Sequence, residues 1–333
     1  MSVNVAIAGA TGAVGQEFLN VLAERNFPIR NLRLLASAKS AGKTVQFKGQ
    51  TYTIEELTTD SFKDIQIAFF SAGGSISKQF APAAVAAKAV VVDNTSAFRM
   101  KEGIPLVVPE VNPEQIHKHN GLIANPNCST IIMNVPVWPL HKVNRVKRII
   151  VSTYQAVSGA GAWGLYELDA QLKAYATGQP IIKEKFPHQI ANNLFSHNTT
   201  IGENGYNEEE TKMVQETRKI FGDQKMMVTA TCIRIPVPRA HCESINLEFE
   251  RPITPAEVRK ILSTAPGVTI VDDREKNHFP MPIEASGQDN VLVGRIRQDL
   301  SREDGRGIEM FVSGDQIRKG AATNAVQIAE KLI

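Results

Sequence analysis

Val3, Val5 and Ile7 alternate as a buried strand that runs directly into Gly9-Ala10-Thr11-Gly12-Ala13-Val14-Gly15. Behind this turn Val14, Phe18 and Leu22 recur at helical spacing until Pro28 ends the pattern. A strand, a glycine turn and a helix in so few residues restrict the fold more than any other stretch. Glycines at these offsets permit a tight turn, let a pyrophosphate approach the backbone and bring helix against strand, while the helix N-terminus supplies N–H donors. The spacing is G-x-x-G-x-x-G and not the commoner G-x-G-x-x-G, so the turn alone leaves nucleotide binding open. Its context favours that function. Residues 32–36, 65–70 (followed by Gly73-Gly74), 90–93 and 122–124 read as further strands with helical segments between them, the alternation of a parallel, doubly wound α/β sheet. Residues 43–47 and 51–54 around Lys48-Gly49 read as an inserted hairpin with no visible chemistry.

An acidic residue at the end of the second strand would bond an adenosine ribose and select NAD. No Asp or Glu occurs from Asn26 to Ile54. Ser37, Lys39 and Ser40 instead offer hydroxyls and a cation suited to a 2′-phosphate, which predicts NADP(H). The glycine turn predicts Gly9, Thr11, Gly12, Ala13, Val14 and Gly15 as the rest of that cofactor's cradle.

A length of 333 residues, 43% of them hydrophobic and 21% charged, suits two soluble globular domains. The net charge of +3 is mild and its basic residues are dispersed, which argues against nucleic acid as the main partner. Residues 83–92, the longest apolar run, are too few to span a bilayer and are broken by Lys88. No signal-peptide pattern follows Met1-Ser2, and Cys128, Cys232 and Cys242 fit neither a disulfide framework nor a zinc site. A cytoplasmic protein without a metal is the expectation.

Asn125-Pro126-Asn127-Cys128-Ser129-Thr130 places Cys128 where a loop enters an apolar helix at 129–140. Unpaired N–H groups and the helix dipole favour negative charge there, pushing a thiol toward its thiolate. A small buried hydrophobe is the other fate open to such a cysteine. Arg99 ends the loop Asp93-Asn94-Thr95-Ser96-Ala97-Phe98-Arg99 after a parallel strand, where ligands of such sheets lie. Residues 226–235 read as a strand leading to Arg234-Ile235-Pro236-Val237-Pro238-Arg239-Ala240-His241-Cys242, whose two prolines stiffen the path between Arg234 and His241. A histidine so presented can take a thiol proton and return it to an oxyanion.

Residues 146–154 read as a strand ending in Gln155-Ala156-Val157-Ser158-Gly159-Ala160-Gly161, and 163–176 as a helix with Leu165, Leu168 and Leu172 apolar. Asn207 caps another helix, with Glu210 closing a capping box; this leaves Glu209 and Lys212 for other work or for solvent. His188 and His197 in the irregular stretch 181–197 are expected to be incidental. Thr254-Pro255-Ala256-Glu257 is a helix start. Strands at 268–271, 291–297 and 307–312 complete a mixed or antiparallel sheet, and 315–333 forms a final helix with Ala325, Ile328, Ala329 and Leu332 facing a core.

The glycine turn, Ser96-Ala97-Phe98-Arg99 and Asn125-Pro126-Asn127-Cys128-Ser129-Thr130 together resemble the aspartate-β-semialdehyde dehydrogenases along the whole chain. Cys-Ser-Thr at a helix start is also similar to the wider acyl-phosphate reductases, including glyceraldehyde-3-phosphate dehydrogenase. N-acetylglutamyl-phosphate reductases usually carry a Gly-Cys-Tyr-Pro box, from which Asn127-Cys128-Ser129 departs. The resemblance implies a Rossmann-type NADP-binding domain at 1–127 plus 315–333, and a catalytic and dimerisation domain of α+β type at 128–314. It implies NADPH-dependent conversion of L-aspartyl-4-phosphate to L-aspartate 4-semialdehyde and phosphate through a thioester, serving lysine, threonine and methionine synthesis, in a homodimer. Cys128 is then the nucleophile and His241 the acid/base, with Gln155 beside the thiol. Arg234 grips the α-carboxylate, Glu209 the α-ammonium and Lys212 the phosphate, while Arg99, which could reach a substrate anion from its loop, makes a third cation for a substrate bearing both anionic groups. Ser158, Gly159 and Asn324 adjoin the cofactor. Many relatives have Gly-His-Ser where this chain has Ala240-His241-Cys242. An N-acetylglutamyl-phosphate reductase and a non-catalytic NADP-binding sensor are the alternatives.

Overall fold

The computed structural model describes residues 2–333. It divides into two compact units, one formed by the chain up to Asn127 with Ala321–Ile333, the other by Cys128–Gly320. Each contains one seven-stranded sheet.

The first unit's strands are β1 (Val3–Ala8), β2 (Ile29–Ala36), β3 (Thr44–Phe47), β4 (Gln50–Glu56), β5 (Ile67–Phe70), β6 (Val90–Asp93) and β7 (Leu122–Ala124), in the order β3-β4-β2-β1-β5-β6-β7. Every pairing is parallel except the hairpin β3–β4. β5 and most of β1 and β6 are buried, because helices cover both faces of such a sheet. On one face α1 (Ala13–Glu24) sets Phe18 and Leu22 into a cluster with Ile7 and Phe69, and the C-terminal helix Thr323–Glu330 adds Ala325, Ile328 and Ala329. On the other, α2 (Gly74–Ala86) packs Ala81 and Ala84 with Phe62 and Phe70. Strand order reverses at β1, with β2 on one side and β5 on the other, and the glycine turn leaves the carboxyl end of β1 at this switch point.

The second unit comprises α3 (Cys128–Val143), β8 (Val146–Gln155), α4 (Ala162–Ala176), β9 (Phe195–Ser196), α5 (Glu208–Phe221), β10 (Met227–Arg234), β11 (His241–Phe249), α6 (Pro255–Leu262), β12 (Val268–Ile270), β13 (Val291–Gln298) and β14 (Gly307–Gly314). Its sheet runs β12-β13-β14-β11-β8-β10-β9, with β8–β10 and β12–β13 parallel and the remainder antiparallel. α3 is buried along most of its length despite Pro136 and Pro139, and lies against this sheet: a Cβ on Gly314 would sit 2.9 Å from Ile132. Tertiary packing outweighs the cost of the prolines.

Two expected elements differ in detail. Of the three leucines of α4 only Leu168 is buried; Leu172 is 42% exposed, and Trp163, Tyr166 and Tyr175 of the same helix are exposed too. The stretch 315–333 is not one helix. Asp315 Oδ1 accepts the N–H groups of Ile317 and Arg318, a π-turn follows at Arg318–Ala322, and α-helix begins only at Thr323. Among the described residues no helix is long and apolar enough to cross a membrane, and no cluster of metal-ligating side chains occurs.

Candidate functional site

The three glycines of the first unit's turn have different reasons to be glycine. Gly9 has φ +95°, and a Cβ there would lie 2.6 Å from Ser71 O. At Gly15 a Cβ would fall 2.1 Å from Gly9 O, so helix and turn could not pack. Gly12 has ordinary φ −76° as the N-cap of α1, and a Cβ would find only Gly9 O, at 3.4 Å. Gly9 and Gly15 thus hold the fold, whereas Gly12, exposed at the mouth of the turn, leaves backbone open to a ligand. With the first-turn N–H groups of α1 this is a fitting cradle for a dinucleotide's phosphates. Ser37 and Lys39 are exposed just beyond the end of β2, and Ser40 half-buried. The parallel pairing of β2 with β4 also sets the exposed Glu56 opposite Ala36. The inserted hairpin brings this acidic group to the strand end, where reading along the chain had found none.

Two other residues of this unit spend their donors internally. Arg99 is buried, giving Nε to Asn125 O (2.9 Å) and Nη2 to Asn94 O (2.8 Å) across the ends of β6 and β7. Asn324 gives its amide to Val107 O (2.9 Å) and Asn125 Oδ1 (2.6 Å), tying the C-terminal helix down.

In the second unit Cys128 is the first residue of α3 and half-buried, while Cys232 and Cys242 are buried. Burial pushes the Cys242 thiol up to about 11 and that of Cys232 higher still, so neither competes as a nucleophile. Gly320 packs so closely that a Cβ would lie 2.9 Å from Cys128 Cβ. Beside Cys128, Ser129 Oγ accepts a bond from Gln155 Nε2 (3.0 Å), which also lies 3.3 Å from Glu209 Oε1. Lys212 Nζ stands 3.3 Å from Glu209 Oε2. Glu209 is buried although it opens α5, because Asn207 and Glu210 form the capping box and leave its side chain to turn inward.

Ala156, through its two backbone groups, joins the two residues expected at the ends of the Pro-Val-Pro path. Its N–H donates to His241 Nδ1 (3.0 Å) and its carbonyl accepts from Arg234 Nη1 (2.7 Å). A neutral imidazole that accepts at Nδ1 carries its proton on Nε2. His241 is fully buried, and burial first, then the Arg234 charge, holds its pKa well below the usual value. Glu243, two residues on and on the same face of β11, adds no charge because burial keeps its carboxyl protonated far above its normal range. His241 is therefore a neutral Nε2–H donor. Gly159 touches both groups: a Cβ would lie 3.2 Å from His241 Nε2 and 3.2 Å from Arg234 Nη1. Ser158 Oγ donates to Pro238 O (2.5 Å) and accepts from Gln316, pinning this loop.

His197, expected to be incidental, meets the Arg234 guanidinium. Its Nε2 lies 2.7 Å from Arg234 Nη2, because the two-residue strand β9 pairs Phe195 with Arg234. No spacing in the sequence relates positions 197 and 234; only this antiparallel bridge does. His188, by contrast, makes a ring contact with Phe195, 5.5 Å between centroids.

A half-exposed thiol at a helix start, a buried imidazole donor, two carboxamide or carboxylate groups and two cations suit covalent acyl chemistry on an amino-acid substrate. Family models agree with the division of the chain: one described as semialdehyde dehydrogenase, NAD binding domain, matches residues 4–119, and one described as semialdehyde dehydrogenase, dimerisation domain, matches residues 137–319. The chain is 53% identical to aspartate-semialdehyde dehydrogenase of Synechocystis over 99% of its length and 97% of the relative's. It is 54% identical to that of Aquifex aeolicus over 100% of its length and 98% of the relative's. Among solved structures, aspartate semialdehyde dehydrogenase II of Vibrio cholerae complexed with ASA superposes with a TM-score of 0.97 at 46% identity, covering 100% of this chain and 98% of that one.

Proposed function

The chain belongs to the aspartate-semialdehyde dehydrogenase family, and from that membership we propose that it reduces L-aspartyl-4-phosphate to L-aspartate 4-semialdehyde with NADPH, through a thioester on Cys128. The observation that carries this reading is the joining, through Ala156 and Gln155, of His241, Arg234 and Glu209 beside the start of α3.

Cys128 attacks the acyl phosphate as a thiolate favoured by the α3 N-terminus; the C–O bond to phosphate breaks, and phosphate leaves and takes a proton from solvent. Arg234 pairs with the substrate's α-carboxylate and Glu209 with its ammonium, while Lys212 faces the phosphate end. Arg99 holds the Asn94 and Asn125 carbonyls in place. The glycine turn would hold the phosphates of a nicotinamide dinucleotide, Ser158 and Gly159 are the residues that would adjoin its ring, and in reduced form it would supply the hydride that the thioester carbonyl needs. The oxyanion that forms accepts the His241 Nε2–H bond, and breaking of the C–S bond releases aldehyde and restores the thiolate. The resting imidazole has no lone pair at Nε2 for a thiol proton, so His241 serves as the donor half of the acid/base role expected of it.

Lys39, with the Ser37 and Ser40 hydroxyls, favours NADPH over NADH. The exposed aromatic residues of α4 and the dimerisation-domain match support a homodimer through the second unit. The pathway is that of lysine, threonine and methionine synthesis, in the cytoplasm.

The test is NADPH formation from aspartate semialdehyde, phosphate and NADP. Wild type should turn over, Cys128→Ala should not, and His241→Ala should fall at least about a hundredfold. Turnover only with N-acetylglutamate semialdehyde would assign the chain to that reductase. Cofactor binding without turnover of either would assign a sensor.

A further inference from the structure

We propose that His197 is a positioning residue, a neutral acceptor that orients the Arg234 guanidinium for the substrate's α-carboxylate without spending its charge; the inference rests on the function proposed above. Arg234 is 2% exposed, and two of a guanidinium's five donors are engaged: Nη1 on Ala156 O and Nη2 on His197 Nε2, each at 2.7 Å. Its plane lies 5.9 Å from the Phe186 ring centroid, and Nε is buried with no hydrogen-bond partner. An orphaned guanidinium N–H in the interior is costly, and it is the donor that a carboxylate accepts side-on.

A guanidinium nitrogen can only donate, so His197 Nε2 must offer its lone pair and the imidazole proton must reside on Nδ1. Thr199 Oγ1 stands 3.3 Å from Nδ1 to receive it. The same hydroxyl oxygen accepts the backbone N–H of Glu209 (3.3 Å). One imidazole thus links the group proposed to hold the carboxylate with the backbone of the group proposed to hold the ammonium. A carboxylate in place of His197 would hold Arg234 as firmly but would cancel the field that attracts the substrate anion. Burial holds the His197 pKa at about 4, with the Arg234 and Lys212 charges acting in the same sense against the pull of Glu209, so the ring is neutral where the enzyme works.

Steady-state kinetics with aspartate semialdehyde, phosphate and NADP test this. His197→Leu should raise KM for the semialdehyde about tenfold or more while kcat falls less than about threefold, with KM for phosphate and NADP unchanged. His197→Gln, whose carbonyl oxygen can occupy the Nε2 position, should recover most of the loss. ¹⁵N NMR of the wild-type imidazoles at neutral pH should show His197 as the Nδ1–H tautomer. An unchanged KM in His197→Leu, a Gln variant no better than Leu, or an Nε2–H tautomer overturns the proposal. Should His197→Leu not fold, the Gln variant and the tautomer decide. A wild type inert toward the semialdehyde would refute the proposed function, while the tautomer would still report on the Arg234 contact.

Discussion

Ala156 holds the chemistry at its finest scale, because the backbone N–H and C=O on either side of its Cα fix the tautomer of His241 and the direction of Arg234. Gly159 closes against both, and it does so without positive φ, so the constraint there is space alone. Gly159→Ala should therefore fold with a melting temperature within about 3 °C of wild type, yet lose at least about tenfold in kcat/KM as imidazole and guanidinium are pushed apart. Equal kcat/KM would show that these side chains have room to spare. The placing of Cys128 at a helix start and of Arg234 and His241 at the ends of a stiff path was legible in sequence. The contacts of His197 and Gly320 were not, since each joins segments with no common spacing. The His241 proton position was equally hidden: it follows from a backbone N–H that only the fold supplies.

At the scale of elements, the glycine turn divides its labour in a way that spacing alone could not reveal. Gly15→Ala would drive a Cβ into Gly9 O and Gly12→Ala would not. Gly15→Ala should lower stability by more than about 2 kcal/mol, or prevent folding, as overpacking of rigid backbone does. Gly12→Ala should melt within about 3 °C of wild type but bind NADPH at least about tenfold more weakly, read by fluorescence titration. The reverse order of effects would contradict the assignment. The capped helices of this chain follow their sequence signals closely, as the boxes at Asn207 and Thr254 show. The π-turn at Arg318–Ala322 escaped because its signal is an aspartate cap on an irregular turn, not a period, and the exposure of Leu172 on α4 escaped because leucine spacing does not say what covers it.

For the molecule as a whole, the parallel character of one sheet and the mixed character of the other were legible from the change in strand pattern, whereas strands β9 and β11 of the second sheet and the edge hairpin's effect were not. By setting Glu56 opposite Ala36, the hairpin places an acid at the end of β2, beside the segment that carries Ser37, Lys39 and Ser40. Steady-state kinetics should favour NADPH over NADH in kcat/KM, with Lys39→Ala narrowing the ratio; equal efficiency in wild type would remove the cationic reading. The central claim is that an acyl group rests on Cys128 between phosphate chemistry and hydride transfer. Mixing the enzyme with aspartate semialdehyde and NADP while withholding phosphate tests it most directly. The account predicts a rapid burst of about one NADPH per active chain, a thioester on the Cys128 peptide by mass spectrometry, and turnover only when phosphate is added. Steady turnover without phosphate, or a burst that survives in Cys128→Ala, would contradict it.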